Sequence, residues 1–319
     1  MFSRLLYCAA ASAAFLVAPV QAEMAVVLNS ADATVSLIDR ATFAERGRVA
    51  VGKEPHHLMW SLDGKSLIVA SAAGNELVFL NPADGRVERR IRDIVDPYHL
   101  GFSPDRRWFV VNANRLDRVD LYTAEGFKLV KRIPLKRVPS HLAFDRASQY
   151  VFVTLQESDE LAAIDLGQQA VAWVHKVGRM PAGVWMTPDD RHLLVAITGR
   201  DHFEVIDWRA RKTVQTVKTG RGTHNFQPVG DGKHVLVSNR AANTISLVDW
   251  QRLTVVESIA VPSGPDCIDV SREGKEAWVT ARWAREVSVV DLASRKVVRS
   301  IPVGRSPHGV FLTGNAPRA

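Results

Sequence analysis

The chain has 319 residues, of which 46% are hydrophobic and 24% are charged, with a formal net charge of +7. This balance is that of an ordinary globular protein and excludes an intrinsically disordered chain or a coiled coil. The length allows one large domain or two smaller ones, and the basic balance suits an anionic ligand or surface.

The first 22 residues have the pattern of a secretory signal peptide. Arg4 supplies a short positive start, an apolar stretch runs from Leu5 to Val20, and VQA (20–22) places small residues at a cleavage site. We predict cleavage before Glu23 and export to the periplasm. The apolar stretch is too short and too rich in Ala for a membrane anchor. Nucleic acid is not an expected partner, because the exported chain lacks a recognised nucleic-acid motif.

The predicted signal peptide also limits the cysteine chemistry. Cys8 lies within it, which leaves Cys267 as the one cysteine of the mature chain. A single cysteine forms no internal disulfide, so the stability of the mature chain must come from packing.

The mature chain repeats itself every 42 residues without insertion or deletion. One position is Val in all seven copies: Val27, Val69, Val111, Val153, Val195, Val237 and Val279. The position eight residues later is always apolar: Val35, Leu77, Val119, Leu161, Phe203, Ile245 and Val287. Repeats of about 40–45 residues that contain four short strands are typical of β-propeller blades.

Each copy has the pattern of four strands. In residues 57–92 the runs HLMWS, SLIVAS, ELVFL and RVERRI are separated by the turns LDGK, AAGN and PADG. The segment MAVVLN (24–29) aligns with the second run and HGVFLTG (308–314) with the first. The N-terminal segment should therefore supply three strands of a blade that the C-terminal strand completes.

We thus predict an all-β fold, a seven-bladed β-propeller of four-stranded antiparallel blades that forms a single domain over residues 23–319. Pairing of the N-terminal strands with the C-terminal inner strand is expected to close the ring. A ring closed in this way needs no further subunit, so we expect a monomer.

The repeats resemble those of the YVTN-repeat β-propeller family. The resemblance is carried by all seven copies, for example VLVSNRAANTISLVDWQRLTVVESIAVPSGPD (235–266) and VVLNSADATVSLIDRATFAERGRVAVGKEPHH (26–57). It implies an exported bacterial seven-bladed propeller. More distantly, it implies a relation to the haem-d-binding propellers of nitrite reductase and its maturation proteins, which hold a modified haem through His and basic residues. This chain departs from that group, because it has seven repeats where they have eight blades and lacks a C-x-x-C-H motif.

Histidines recur where each copy turns into its first strand. In GKEPHH (52–57) the chain has two adjacent histidines, and six of its ten histidines fall at these two positions. The first position holds His56, Tyr98, Ser140, Ala182, His224, Asp266 and His308. The second holds His57, His99, His141, Gly183, Asn225, Cys267 and Gly309. We predict that these residues lie in loops around the mouth of the central channel.

Three consecutive copies carry a histidine at the second position. We predict that His57, His99 and His141 converge as metal ligands, because neutral imidazole is the commonest protein ligand for transition metals. Three histidines with an open fourth position suit Zn, and imidazole also suits Cu. Cys267 ranks below the histidines as an additional soft ligand, since its place in the ring is two blades from that of His57.

A basic position precedes the histidines by four residues. It is Lys53, Arg137, Arg179, Arg221 or Arg305 in five of the seven copies. Neighbouring turns add Arg115, Arg200, Arg240, Arg282, Arg285 and Trp283. Because guanidinium groups pair with carboxylates and phosphates, we predict that Arg137, Arg179, Arg221 and Arg305, with His224 and His308, bind an anionic metallo-cofactor such as haem.

Three alternatives stay open from the sequence. In the first, the histidines are structural and hydrogen-bond to backbone across the blade junctions, while the arginines are solvated. In the second, the same face is a scaffold for a periplasmic protein partner. In the third, the protein is a metal- or haem-dependent enzyme, a lactonase or an oxidoreductase, with Asp266 and Glu54 as candidate general bases. The sequence contains no HExxH, GxSxG, Walker or CxxC motif, so it favours a binding or maturation role over catalysis.

Overall fold

The computed structural model describes residues 23–315. Within that range the chain forms seven four-stranded sheets in which every neighbouring pair of strands is antiparallel. The predicted seven-bladed β-propeller is confirmed. The predicted signal peptide, residues 1–22, lies outside the described residues. Three short 3-10 helices complete the described elements: Ser30–Asp32, Asn114–Leu116 and Thr313–Asn315.

We number the strands in chain order and the blades from the first complete sheet. Blades 1 and 2 are β4 (Pro55–Trp60), β5 (Leu67–Ser71), β6 (Glu76–Leu80), β7 (Val87–Arg92), and β8 (Pro97–Phe102), β9 (Trp108–Ala113), β10 (Arg118–Thr123), β11 (Leu129–Pro134). Blades 3 and 4 are β12 (Pro139–Phe144), β13 (Tyr150–Leu155), β14 (Glu160–Asp165), β15 (Ala170–Lys176), and β16 (Pro181–Met186), β17 (His192–Ile197), β18 (His202–Asp207), β19 (Lys212–Lys218). Blades 5 and 6 are β20 (Thr223–Pro228), β21 (His234–Asn239), β22 (Thr244–Asp249), β23 (Thr254–Ala260), and β24 (Pro265–Val270), β25 (Glu276–Ala281), β26 (Glu286–Asp291), β27 (Lys296–Pro302). Blade 7 is β28 (Pro307–Leu312), β1 (Met24–Asn29), β2 (Thr34–Asp39) and β3 (Glu45–Ala50), in that spatial order.

Blade 7 joins the two ends of the described chain. Strand β28 pairs with β1, so that Ala25 faces Leu312 and Val27 faces Val310. The predicted ring closure is therefore confirmed. Leu312 and Ala25 are fully buried, which shows that the junction is part of the core rather than an exposed edge.

The core lies between neighbouring blades. The repeated valine lies on the second strand of every blade and is 0% exposed in all seven copies. Each apolar cluster combines side chains of two adjacent blades, such as Val110 and Leu121 of blade 2 with Val153 and Ile164 of blade 3. A blade therefore buries its faces only against its neighbours, which explains why the repeats must form a ring to be stable. No helix in the described part of the chain has the length and hydropathy needed to cross a bilayer.

Polar side chains on the second strands of blades 2, 3, 5 and 6 connect each of these blades to the next at the level of the repeated histidine positions. The Oγ1 of Thr154 accepts a hydrogen bond from the backbone N–H of His141 at 3.1 Å and donates to the carbonyl of Ala182 in the next blade at 2.7 Å. Thr280 makes the same pair of bonds, to Cys267 N–H at 3.0 Å and His308 carbonyl at 2.7 Å. These buried bonds hold the innermost strands of neighbouring blades at a common height along the channel.

We expect the substitution Thr154→Val to lower the free energy of unfolding by about 1–3 kcal/mol. The side chain keeps its shape, but the buried N–H of His141 and carbonyl of Ala182 lose their partner. Urea unfolding measures the change. Thr254→Val, on the exposed surface of β23, is the matched control and should stay within about 0.5 kcal/mol of the wild type. Equal effects of the two substitutions would show that these bonds do not hold the blades together.

Candidate functional site

A left-handed turn precedes each innermost strand. The last turn residue has a positive φ in all seven blades: Glu54 (52°), Asp96 (52°), Val138 (56°), Met180 (53°), Gly222 (74°), Gly264 (75°) and Ser306 (54°). Five of the seven are not glycine, and the β-branched Val138 is especially unfavourable in this conformation. Because the same turn recurs in every blade, the chain enters each innermost strand from an equivalent position.

The histidines lie on the innermost strands themselves, not in the preceding loops as predicted. His56 and His57 are the second and third residues of β4. The ladder between this strand and β5 shifts register there, since Pro55 pairs with Ser71 but His57 pairs with Ala70. Comparable shifts occur at the start of all the other innermost strands, including β28, where Pro307 pairs with Asn29 but Val310 pairs with Val27. Such irregularities re-aim side chains relative to a regular strand.

Six histidines form one cluster, which we call the histidine cluster: His56, His57, His99, His141, His224 and His308. The ring centroids are 3.8 Å apart for His56 and His308, 4.1 Å for His57 and His99, and 5.0 Å for His99 and His141. His141 of blade 3 lies 5.4 Å from His224 of blade 5, so the cluster spans non-adjacent blades. Within it, His56, His141, His224 and His308 are at most 3% exposed.

The three predicted metal ligands meet within this cluster. One ring nitrogen from each of His57, His99 and His141 lies within 4.8 Å of the other two. Each of the three rings also has one buried nitrogen without a hydrogen-bond partner, namely Nε2 of His57, Nδ1 of His99 and Nε2 of His141. A buried polar atom without a partner is costly. The three rings therefore lie close enough to share one ion, and each also has a buried nitrogen without a hydrogen-bond partner.

A backbone contact sets the tautomer of His57. Its Nδ1 lies 2.8 Å from the carbonyl oxygen of Tyr98. A carbonyl oxygen only accepts hydrogen bonds, so Nδ1 carries the proton and the neutral ring has its lone pair on Nε2. An imidazole whose second nitrogen donates to a backbone carbonyl has the usual arrangement of a metal-ligating histidine.

The predicted cofactor-binding residues His224 and His308 contact a carboxylate, whereas His57 contacts a backbone carbonyl. Nε2 of His224 lies 3.2 Å from Oδ1 of Asp266, and Nε2 of His308 lies 3.8 Å from the same oxygen. Nδ1 of His308 contacts the Sγ of Cys267 at 3.8 Å. Both rings therefore contact the carboxylate, and His308 in addition offers a ligand atom within 4.8 Å of those of His56 and His57.

His56 has the contact expected of a structural histidine. Its Nδ1 lies 3.1 Å from the carbonyl oxygen of Tyr98 in the next blade, and its ring lies 3.7 Å from that of Tyr98. The backbone contact across a blade junction, one of the alternatives left open by the sequence, is thus present at this position.

Asp266 is the ionic centre of the site. Its carboxylate is fully buried and pairs with Arg240 at 2.6 Å and with Arg282 at 3.3 Å. Burial by itself raises the pKa of Asp266. The opposing effect of Arg240, followed by those of His308 and His224, outweighs burial, so the pKa of Asp266 is well below its usual value. The carboxylate is therefore ionised at neutral pH, with both oxygens held by guanidinium groups.

Cys267 lies beside this ion pair. Burial, followed by the charge of Asp266, raises the pKa of the Cys267 thiol far above its usual range. Asp266, Cys267 and His308 can bring one ligand atom each within 4.8 Å of the others. A protonated thiol and a carboxylate already paired with two arginines are poor metal donors, so this second group suits a metal less well than the histidine triad does.

The imidazoles of the cluster are neutral at neutral pH. Burial lowers the pKa of His57 to about 4, with partial compensation from the Tyr98 carbonyl. Burial lowers the pKa of His224 to about 4 as well, assisted by the charge of Arg240. The other four have pKa values lowered well below 6.5, chiefly by burial: His56, His99, His141 and His308. Neutral imidazole is the form that binds metals.

The four predicted rim arginines are all exposed: Arg137, Arg179, Arg221 and Arg305. Arg137 and Arg179 line one cavity of about 450 Å³ together with Glu157 and Asp159. Arg305 pairs with Asp32 at 2.6 Å. Part of the predicted basic rim is thus compensated by neighbouring carboxylates.

Sequence reasoning did not identify the role of Asp266, Arg240 and Arg282. The two arginines were grouped with the rim, and Asp266 was considered only as a candidate general base. Two signals were available in the sequence. Asp266 occupies the first histidine position of blade 6, and an arginine begins the turn after the second strand in blade 5 (Arg240) and in blade 6 (Arg282).

Comparison with known proteins agrees with the fold. A family model described as YNCE-like beta-propeller matches residues 3–318. The chain belongs to the YNCE-like beta-propeller family. None of the curated proteins compared with this YNCE-like propeller matches it significantly.

Solved structures similar to this YNCE-like propeller include two with described functions. Dihydro-heme d1 dehydrogenase NirN, in complex with DHE, is 18% identical with a TM-score of 0.69 over 92% of this chain and 75% of that chain. Kuenenia stuttgartiensis hydrazine synthase is 16% identical with a TM-score of 0.66 over 79% of this chain and 87% of that chain. A functionally unknown protein from Desulfotomaculum acetoxidans DSM 771 is 14% identical with a TM-score of 0.77, over 91% and 98% of the two chains. At these identities the likeness shows the fold alone.

We expect the metal-free YNCE-like propeller to lose stability as the pH falls from about 6.5 to about 4. A histidine with a lowered folded-state pKa binds a proton more readily in the unfolded chain, so the free energy of unfolding decreases across that window. For His57 and His224, with pKa values of about 4, the loss reaches up to about 3 kcal/mol each at pH 4. Urea unfolding at several pH values measures it. The double variant His57→Gln, His224→Gln should show a smaller loss, and an unchanged pH dependence would contradict the burial argument.

Proposed function

We propose that the protein is an exported binding propeller that holds one transition-metal ion through His57, His99 and His141, in a metal-binding or maturation role. The observation that carries the proposal is the meeting of three neutral imidazoles, each with a buried nitrogen that has no hydrogen-bond partner. One ion would satisfy all three nitrogens at once, whereas each of them otherwise costs about 1–3 kcal/mol.

The donor chemistry supports an ion of the first transition row. Three neutral nitrogen ligands suit Cu, Zn, Ni and Fe, and they leave a coordination position for a further ligand. The carbonyl of Tyr98 would orient His57 towards the ion by accepting its Nδ1 proton.

A bare ion fits the cluster better than the haem considered from the sequence. Neighbouring rings are packed with centroids 3.8–5.5 Å apart, and His141, His224 and His308 are at most 2% exposed. A planar macrocycle would require these rings to separate. His224 and His308 support the cluster through Asp266, and the exposed arginines Arg137, Arg179 and Arg221 would attract anionic ligands towards the channel.

A binding role is favoured over catalysis by the state of the two candidate bases. The carboxylate of Asp266 is engaged by Arg240 and Arg282. Glu54 is paired with Arg115 at 2.9 Å. A carboxylate held by guanidinium groups is a weak general base.

Export to the periplasm is part of the proposal and rests on the N-terminal pattern of residues 1–22.

A second candidate function is the docking of a periplasmic protein partner on the basic side of the ring. The observation that favours it is Trp283, which is 58% exposed beside Arg282 and Arg285. An exposed tryptophan flanked by arginines is typical of interaction surfaces.

We expect purified protein to bind one equivalent of Zn²⁺ or Cu⁺ when each metal is supplied alone, and to unfold at a higher temperature when loaded. The single substitutions His57→Asn, His99→Asn and His141→Asn should each lower the affinity about a hundredfold or more, because each removes one of three donors. Titration against a chromophoric chelator and elemental analysis measure binding.

His192→Asn is the matched control, since His192 opens β17 and lies outside the histidine cluster. It should bind metal as the wild type does. Protein that takes up no metal, or triad variants with wild-type affinity, would refute the proposed function.

A further inference from the structure

We infer that the turns of blades 4–6 on the basic side of the ring form a docking surface for a protein partner that presents carboxylates around an apolar contact. The inference rests on the second candidate function and adds the chemistry of the partner and the place of contact. The surface, which we call the basic arc, consists of five arginines and one tryptophan: Arg200, Arg221, Arg240, Arg282, Trp283 and Arg285.

The basic arc is continuous from blade to blade. The carbonyl oxygen of Arg200 accepts a hydrogen bond from the N–H of Gly222 at 2.8 Å, and the carbonyl oxygen of Gly222 accepts one from the N–H of Arg240 at 2.9 Å. Arg240 and Arg282 then meet at the carboxylate of Asp266. The turns that carry the arginines therefore adjoin one another across three blades.

Three arginines of the basic arc keep an uncompensated charge. Arg200, Arg221 and Arg285 are exposed, and none of them forms an ion pair within residues 23–315. Three carboxylates lie in these turns or within two residues of them: Asp201, which pairs with Lys218, Asp266, which is buried and pairs with Arg240 and Arg282, and Glu286. Guanidinium groups thus outnumber carboxylates on this surface, and a partner with acidic side chains would complement them.

Trp283 is held in place although it is exposed. Its indole lies on Gly264, where a methyl group in place of a hydrogen would come within 2.7 Å of Cδ2 of Trp283. The N–H of Trp283 also donates to the carbonyl oxygen of Ser263 at 3.2 Å. The residue is nevertheless 58% exposed. A side chain that is ordered before binding loses little conformational entropy on binding, so Trp283 suits the role of an apolar anchor.

The repeat does not require a tryptophan at this position. The other six blades have small or charged residues there: Ala31, Ala73, Arg115, Glu157, Gly199 and Ala241. The turn therefore forms without a large aromatic side chain. Tryptophan and arginine are the residue types that are enriched at the centres of protein interfaces.

The remaining turns on this side of the ring favour a compact partner over an anionic membrane surface. Asp93 and Glu157 are exposed in the corresponding turns of blades 2 and 3. An extended anionic surface that covered the whole side would be repelled by these carboxylates. A protein that contacts blades 4–6 alone would avoid them.

The experiment measures the binding of a short fluorescent peptide, made of glutamates around a central Phe-Leu pair, to the purified mature chain. The wild type should bind it, and salt should weaken the binding because the charges are exposed. Trp283→Ala should weaken the binding about tenfold or more, and so should the triple variant Arg200→Gln, Arg221→Gln, Arg285→Gln. Peptides with glutamine for glutamate, or with serine for Phe-Leu, should lose affinity to a similar degree.

The matched control is the triple variant Arg106→Gln, Arg107→Gln, Arg191→Gln. These arginines are exposed in turns between first and second strands, on the opposite side of the ring. The variant has the same net charge as the variant of the basic arc, but it should change the affinity by no more than about twofold. An equal loss in both triple variants would overturn the inference, because net charge alone would then explain the binding.

Two further outcomes would overturn the inference. One is that the wild type does not bind the peptide. The other is that heparin or vesicles of phosphatidylglycerol bind to the basic arc more tightly than the peptide does, which would assign the surface to an anionic polymer or a membrane. Metal binding by the wild type is measured separately, so failure of the docking surface and failure of the proposed metal site are distinguishable.

Discussion

The structure depends on one constraint, which is that each blade can bury its faces only against its two neighbours. The repeated valine is completely buried in all seven copies, and each apolar cluster combines residues from adjacent blades. The ring must therefore close, and it does so through the pairing of β28 with β1. Closure is what brings the starts of all seven innermost strands to one axis, where the six histidines meet.

At that axis the site contains both neutral imidazoles and an ionised carboxylate. The imidazoles are kept neutral by burial, so their nitrogens are available as donors. The carboxylate of Asp266 is kept ionised by its ion pairs with Arg240 and Arg282. Asp266, held by the two arginines, thus contacts and orients His224 and His308.

The degree to which the site could be predicted differed between residues. The convergence of His57, His99 and His141 followed from the equal period, because equivalent positions of adjacent blades are neighbours in space. Their role as ligands stays a proposal. The separate role of His224 and His308 could not be predicted, because it depends on Asp266, which comes from a third blade. The sequence also does not distinguish the exposed arginines of the rim from the two that pair with Asp266. Whether an arginine forms an ion pair with a carboxylate depends on distances that the repeat does not encode.

The sequence by itself determined the number of blades, the four strands of each and the way the ring closes, because an undisturbed 42-residue period with alternating apolar runs permits one arrangement of buried faces. Only the tertiary structure decided which ring nitrogens are left without partners, which carboxylate is neutralised and which histidines face it. Those properties depend on contacts of a few ångströms between side chains of different blades. Residues with identical positions in the repeat acquire different neighbours there, and hence different chemistry.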